Sequence, residues 1–419
     1  MNKLVIDGGI PINGEITVQG AKNAVLPILA ASIMADGESV IHNCPWLRDV
    51  EKTGVILENL GCEIKRNADT LYINPQNINS CKIDEKLMRE MRSSIIFLGA
   101  ILAIWNKAEV GMPGGCPIGL RPIDLHLKAL RQMGVKICEE YGYLKCECEK
   151  LKGADIHLDF PSVGATENIM LAAVKAEGTT KITNAAREPE IIDLANFLVK
   201  MGAKIEGAGS SVIVIEGVKK LKPTEYTIMS DRIVAQTYLI AAVITGGEIV
   251  LNNATPPHIT SGLAVLNEMG AKIICESSRI YLKSSDTIKN IHIIKTMPYP
   301  GFPTDIQSPF MALASVADGT SVFVENMFEN RYRHVDELVR MGADIKVEGR
   351  SAVVRGVKRL HGANVEAYEL RGGAALVMAG LNAEGRTVVS GVDFIDRGYQ
   401  NIEGNLSKCG AKIRRIHVQ

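Results

Sequence analysis

Cys116 lies in the stretch Val110-Gly-Met-Pro-Gly-Gly-Cys-Pro-Ile-Gly-Leu-Arg-Pro-Ile-Asp-Leu125. Gly114, Gly115 and Gly119 permit backbone angles that other residues avoid, and Pro113, Pro117 and Pro122 exclude helix or central strand. The spacing predicts a loop that presents one thiol, followed by the guanidinium of Arg121 and the carboxylate of Asp124. A lone cysteine is ordinarily a small core residue. No apolar periodicity surrounds Cys116, so it has no face to bury. An accessible thiol beside an arginine titrates near neutral pH and can serve as nucleophile or proton donor.

Further polar residues recur at equivalent points of a longer pattern. The phrase Leu60-Gly-Cys-Glu-Ile returns as Met133-Gly-Val-Lys-Ile, Met201-Gly-Ala-Lys-Ile, Met269-Gly-Ala-Lys-Ile, Met341-Gly-Ala-Asp-Ile and Cys409-Gly-Ala-Lys-Ile, with a period of 68 to 73 residues. Such a period is too long for a solenoid unit, so each copy is a small folding unit of several elements. Each glycine follows a helical pattern, as a C-cap in the left-handed conformation. The alternation after it, as in Ser211–Glu216, predicts a hairpin. Upstream of each phrase lies a helix rich in Ala, Ile, Leu and Met: Ala21–Ala35, Arg92–Lys107, Ser162–Ala176, Asp231–Thr245, Thr304–Ala317 and Leu370–Ala383. A strand follows most of them. Each unit is therefore βαβαββ. Helices apolar on most faces belong in a core. The expected fold is α/β: six units in two domains of three, each around a pseudo-threefold axis, with a cleft between.

The buried-type helices begin at Lys22-Asn23, Arg92, Ser162-Val163-Gly164, Asp231, Asp305 and Leu370-Arg371, while the strand-to-helix loops carry Arg48, Cys116 with Arg121, Arg187-Glu188, His258, Arg331 and Arg397. Helix N-termini attract anions through free N–H groups and the macrodipole. With Lys22, Arg92, Arg121, Arg371 and Arg397 nearby, the site suits a substrate bearing several negative charges. Any one of these first-turn charges could be an ordinary cap or surface pair. Their recurrence in six copies favours a common purpose.

Composition excludes several classes. Lys+Arg and Asp+Glu are 47 each among 419 residues, so no global field recruits nucleic acid or an acidic membrane. The longest apolar run, Ile95 to Trp105, is too short to span a bilayer, and Met1-Asn-Lys-Leu-Val-Ile-Asp is not a signal peptide. Nine cysteines without a Cys-x-x-Cys pair predict reduced thiols in a cytoplasm; Cys62 and Cys409, inside the repeat phrase, are expected to pack. No cluster has metal-ligand spacing, and no metal or cofactor is expected.

Gly20-Ala-Lys-Asn-Ala24, Met112–Gly119, Arg121-Pro-Ile-Asp-Leu-His126, Asn184-Ala-Ala-Arg-Glu-Pro-Glu190, Phe302-Pro-Thr-Asp305, Phe328-Glu-Asn-Arg331 and Asp396-Arg-Gly-Tyr399 together resemble the UDP-N-acetylglucosamine enolpyruvyl transferase family, from end to end of the chain. The resemblance implies transfer of the enolpyruvyl group of phosphoenolpyruvate to the 3-hydroxyl of UDP-N-acetylglucosamine, with release of phosphate, as the first committed step of bacterial peptidoglycan (cell-wall) synthesis. It implies two inside-out α/β domains, residues 22–229 with the catalytic loop 111–122, and residues 1–21 plus 230–419, with the active site in the cleft between them. Cys116 would protonate C3 of phosphoenolpyruvate and react with epoxide phosphonates such as fosfomycin. Asp305 would take the proton of the sugar hydroxyl. Lys22, Arg121 and Arg397 would hold the phosphate and Arg371 the carboxylate. Asn23 would orient the sugar, with Met327 at the sugar-binding wall. Arg92, Arg121, Pro122, Ile123, Asp124, Leu125, Ser162, Val163 and Gly164 would hold the uridine diphosphate.

Two residues depart from the family pattern: Glu369 stands where Asp is usual, and Arg48 where some members have Lys. A 3-phosphoshikimate enolpyruvyl transferase and an inactive UDP-sugar-binding paralogue are the competing readings. The partners expected are the two small-molecule substrates, with no nucleic acid and no membrane insertion, and a homo-oligomer is left open.

Overall fold

The computed structural model describes residues 2–114, 118–119 and 122–417. Residues 155–216 show the repeat in its plainest form. Strand Asp155–His157 leads to helix Val163–Ala173, strand Thr179–Thr183, helix Pro189–Lys200 and the hairpin strands Lys204–Glu206 and Val212–Glu216. The first strand pairs parallel with Thr179–Thr183, which pairs antiparallel with Val212–Glu216, itself antiparallel to Lys204–Glu206. Six four-stranded sheets among the described residues share this order. The repeat glycines are left-handed, as the sequence predicts: φ is between 92° and 105° at Gly61, Gly134, Gly202, Gly270, Gly342 and Gly410. A side chain there would be strained, and only glycine turns the chain from helix to hairpin without that cost.

The apolar helices are α1 (Lys22–Ser32), α2 (Phe97–Trp105), α3 (Val163–Ala173), α4 (Arg232–Ile244), α5 (Thr304–Ala314) and α6 (Leu370–Asn382). All of α4 is buried, and so is α6 from Arg371 to Leu381. Each Leu or Ile removed from water there contributes about 1.5–3 kcal/mol, which is what drives helices, and not sheets, to the centre. α4, α5 and α6 pack on one another, and α2 packs on both α1 and α3. The strands alternate instead: in Val212–Glu216, Ile213 and Ile215 face the core. Cys62 and Cys409 are buried, as the repeat predicts.

Two local expectations need correction. The single helix expected over Arg92–Lys107 is a 3-10 turn, Arg92–Ile96, followed by α2. Ser94 explains the tighter turn: its hydroxyl donates to the carbonyls of Met91 at 2.6 Å and Met88 at 3.2 Å, which competes with regular helix. Helices α1, α3 and α5 each stop three residues before the expected end.

Contacts divide the chain into two compact units. One holds residues 2–19 and 230–417 with Ile118 and Gly119; the other holds 20–114 and 122–229. Each contains three of the six sheets. The N-terminal strands Asn2–Asp7 and Asn13–Thr17 complete sheets of the first unit, beside Arg386–Ser390 and Glu248–Asn252 respectively. Strand Glu225–Thr227 pairs with Ser39–His42 in the second. The chain thus passes between units at 19–20 and again at 229–230.

Candidate active site

In the unit of residues 20–229, Lys22 is the first residue of α1, and its Nζ lies 2.7 Å from Oδ2 of Asp49. Both side chains are nearly enclosed, so the contact is a charge-assisted bond that fixes where the ammonium points. Asp49, in the first turn of helix Arg48–Leu60, was not among the sequence-derived candidates. Asn23 follows Lys22 and is half-buried. Pro27 lies inside α1 and Pro309 inside α5. Each lacks the N–H that the carbonyl four residues back would accept, and those carbonyls belong to Asn23 and Asp305.

Arg92 reaches the foot of the glycine-rich loop, where its Nη1 donates to the carbonyls of Gly114 at 3.3 Å and Pro113 at 3.4 Å. Cys116 and Arg121 lie outside the described residues. Beyond them Pro122 is exposed, Ile123 buried, Asp124 exposed and Leu125 half-buried. Asp124 opens helix Asp124–Gln132, which brings His126 against the start of α3. A Cβ at Gly164 would sit 3.2 Å from the His126 ring, so glycine permits that approach. Ser162 caps α3 by accepting the Ala165 N–H at 3.3 Å, with Val163 as the first helical residue. Asn168 ties the group together. Its Nδ2 donates to the Ile95 carbonyl and to Nδ1 of His126, both at 2.9 Å, and its Oδ1 accepts the Gly99 N–H at 2.6 Å. Residues 122–125 and 162–164 are therefore held as neighbours by a buried polar network.

In the unit of residues 230–417 the densest cluster surrounds Asp305. Its two oxygens take different arginines: Oδ1 accepts from Nη2 of Arg331 and Oδ2 from Nη2 of Arg371, each at 3.1 Å. Arg331 and Arg371 are almost fully buried, while Asp305 retains about a third of its side-chain exposure (29%). This is a partly exposed carboxylate held by buried cations. Its ionised form is the one that can take a proton. Burial disfavours the Arg371 charge, but Asp305, Tyr399 and Asp231 outweigh it and raise the guanidinium pKa above its ordinary value. The Arg371 guanidinium also lies over the Tyr399 ring at 5.5 Å.

Glu369 answers the departure noted in the sequence. It caps α6, accepting the N–H groups of Arg371 (2.8 Å) and Gly372, and its Oε2 lies 3.7 Å from Arg331. His334 packs behind the cluster, with Nδ1 3.2 Å from the Arg331 carbonyl. Burial first, and then the Arg331 charge, push its pKa down to about 3, so the ring is neutral near pH 7.

Met327 is half-buried, and its N–H donates to Oε1 of buried Glu325 at 2.7 Å. Arg397 is half-buried in a segment fixed on both flanks. Asp396 accepts two bonds from Arg415 at 2.7 Å, and Gln19 receives the Gln400 N–H at 2.7 Å while donating to the Gly398 carbonyl at 3.2 Å. Asp49, Glu325, His334 and Gln19 are thus supporting residues that sequence reasoning missed. Among the described residues no group of three His, Cys, Asp or Glu side chains could hold a metal ion, and no helix is long and apolar enough to cross a membrane.

A family model described as EPSP synthase (3-phosphoshikimate 1-carboxyvinyltransferase) matches residues 6–406. UDP-N-acetylglucosamine 1-carboxyvinyltransferase 2 of Caldanaerobacter subterraneus subsp. tengcongensis is 53% identical over 416 residues, covering 99% of this chain and 100% of the relative. UDP-N-acetylglucosamine 1-carboxyvinyltransferase of Nitratidesulfovibrio vulgaris (strain DP4) is 51% identical over 415 residues, with 99% of each chain covered. Among solved structures, the enolpyruvyl transferase NikO from Streptomyces tendae matches with a TM-score of 0.89 at 22% identity, covering 100% of this chain and 99% of that one. An EPSP synthase from Acinetobacter baumannii matches at 0.76 and 21%, covering 100% of both chains. At these identities the solved structures speak for the fold alone. Six βαβαββ repeats, the polar residues at the starts of their buried helices and half-identity over nearly the full length give one answer: the chain belongs to the UDP-N-acetylglucosamine 1-carboxyvinyltransferase family, within the wider group of enolpyruvyl transferases.

Proposed function

We propose that this protein is a cytoplasmic enzyme that transfers the enolpyruvyl group of phosphoenolpyruvate to the 3-hydroxyl of UDP-N-acetylglucosamine and releases inorganic phosphate, opening peptidoglycan synthesis. The observation that carries the reading is half-identity, over nearly the whole chain, to relatives bearing that enzyme's name. The site supports it chemically. Addition to an enol ether needs an acid at one carbon and a base for the incoming hydroxyl. Cys116 donates a proton to C3 of phosphoenolpyruvate. Asp305 takes the proton of the sugar hydroxyl as its oxygen bonds to C2. In the second half of the reaction C3 gives up a proton, the double bond re-forms and the C2–O bond to phosphate breaks.

Both substrates are anions, so cations must hold them and offset the charge that develops. Lys22, Arg121 and Arg397 hold the phosphate, and Arg371 the carboxylate. Arg92, residues 121–125 and residues 162–164 hold the uridine diphosphate, while Asn23 and Met327 flank the sugar. The bond from Asp49 to Lys22 and the bonds of Arg331 and Arg371 to Asp305 support this assignment, because each sets a reactive charge in one direction.

The test is phosphate release from phosphoenolpyruvate with either of two acceptors. Turnover is expected with UDP-N-acetylglucosamine and not with 3-phosphoshikimate. Turnover with 3-phosphoshikimate alone would reassign the acceptor. Binding of UDP-N-acetylglucosamine without phosphate release would identify a catalytically idle binding protein.

A further inference from the structure

The strand that ends at Val324 delivers Glu325 into the interior, where only 1% of its surface is exposed. A buried carboxylate is costly unless donors surround it. Four do so. Oε1 accepts from the Met327 N–H at 2.7 Å, the Phe328 N–H at 3.2 Å and the Thr296 hydroxyl at 2.9 Å. Oε2 accepts from the Thr304 hydroxyl at 3.0 Å. Thr296 extends the network by accepting the Asn326 N–H at 2.9 Å. These donors come from separate places: the loop of residues 326–328, the residue after strand Ile293–Lys295, and the first residue of α5.

The last of these matters most. Thr304 precedes Asp305, and its carbonyl accepts a bond from Arg331 at 3.1 Å, the same Nη2 that grips Asp305. One side chain therefore fixes both the loop carrying Met327 and the first turn of the helix carrying Asp305.

We propose that Glu325 is a positioning residue that sets the distance between the Asp305 carboxylate and the Met327 loop, and so the placement of the acceptor sugar against its base. This rests on the functional reading above. Glu325 touches no substrate in this scheme; it acts through Thr304, Met327 and Phe328. Its loss should therefore affect one substrate and spare the other.

Three variants of the full-length protein test this: Thr304→Val, Glu325→Ala and Glu325→Gln. Valine keeps the shape of threonine and removes only the bond to Oε2. Thr304→Val is expected to lower kcat about tenfold, with KM for phosphoenolpyruvate unchanged, since one bond to a buried charge is lost next to the base. Glu325→Ala is expected to raise KM for UDP-N-acetylglucosamine about tenfold as well, through release of the Met327 loop. Glutamine can still accept the Met327 and Phe328 N–H groups and can donate to the Thr304 hydroxyl, so Glu325→Gln should recover most of the activity. Should Glu325→Ala fail to fold, the Thr304→Val and Glu325→Gln pair carries the test. Wild-type kcat in Thr304→Val would overturn the inference. So would an equal rise in KM for both substrates with a lower melting temperature, which would mark general loosening. A wild-type enzyme that releases no phosphate with this substrate pair would overturn the functional reading and this inference with it.

Discussion

The proposed site residues Lys22, Asp305 and Arg371 stand out in the sequence because each sits at the same place in its repeat, the opening turn of an apolar helix. Arg331, which grips Asp305, was legible as well, but Asp49, Glu325 and Gln19 were not. Gln19 meets Gly398 across 379 positions, and Glu325 draws two of its donors from Thr296 and Thr304, 29 and 21 positions upstream. No local pattern marks such a partner. Cys116 is the opposite case, conspicuous in sequence because nothing around it favours burial. If it is the general acid, an acidic proton is what matters, not sulfur. Serine is nearly isosteric but far too weak an acid near neutral pH, so Cys116→Ser should lose turnover while still binding UDP-N-acetylglucosamine. Aspartate carries an acidic proton with a reference pKa of about 3.9 against about 8.5 for cysteine. Cys116→Asp should keep part of the activity, with its optimum moved to lower pH, and should resist epoxide phosphonates that alkylate a thiol. The pH–rate profiles of the three forms check this. Near-normal turnover in Cys116→Ser would place the proton donor elsewhere.

Elements were legible where one force dominates. The left-handed glycines closed the outer helices as expected, because no other residue takes that conformation freely. The turn at Arg92 was not legible, because a serine hydroxyl competing for backbone carbonyls looks no different in sequence from one facing water. Helix Pro189–Lys200 holds a third kind of feature, a buried acid. Asp193 accepts the Tyr226 hydroxyl at 2.7 Å and the Met229 N–H at 3.3 Å, joining this helix to strand Glu225–Thr227 and the segment after it. Burial pushes its pKa up from 3.8 to about 6, and the two bonds offset only part of that. The folded state thus holds this proton at a pH where the unfolded chain has released it. Stability from this group is fully present below the unfolded pKa, shrinks as pH rises through about 6, and differs across that window by something on the order of 3 kcal/mol. Asp193→Asn cannot titrate. The melting temperature of wild type relative to Asp193→Asn should therefore climb as pH falls from about 7 to about 4. A flat difference across that range would show that the carboxyl titrates normally.

At the scale of the whole chain, the count of repeats was legible in the periodicity, whereas the joining of the N-terminal residues to the 230–417 unit came only from the family resemblance. Periodicity says how many units there are, but the choice of pairing partner is made by sheet edges far apart in sequence. The strand exchange is unequal, and that has a consequence for folding. All three sheets of the second unit are built from strands between Ser39 and Thr227, so residues 20–229 contain every element that unit needs. Residues 230–417 do not suffice for the first unit. Without Asn2–Asp7, strands Arg386–Ser390 and Lys412–His417 lose the partner that lies between them. Without Asn13–Thr17, Glu248–Asn252 is left with an open edge. Unpaired edges expose rows of N–H and C=O groups and invite pairing between molecules. Expressed alone, residues 20–229 should give a monomer with a cooperative thermal transition, whereas residues 230–417 should aggregate. Adding residues 2–19 to the second fragment through a flexible linker should restore its solubility, because β-pairing depends on the strands being present and not on their place in the chain. Sedimentation and thermal denaturation of the three pieces would decide it. A soluble, cooperatively folding 230–417 fragment would mean that the buried helices α4, α5 and α6 hold that unit together without the N-terminal strands.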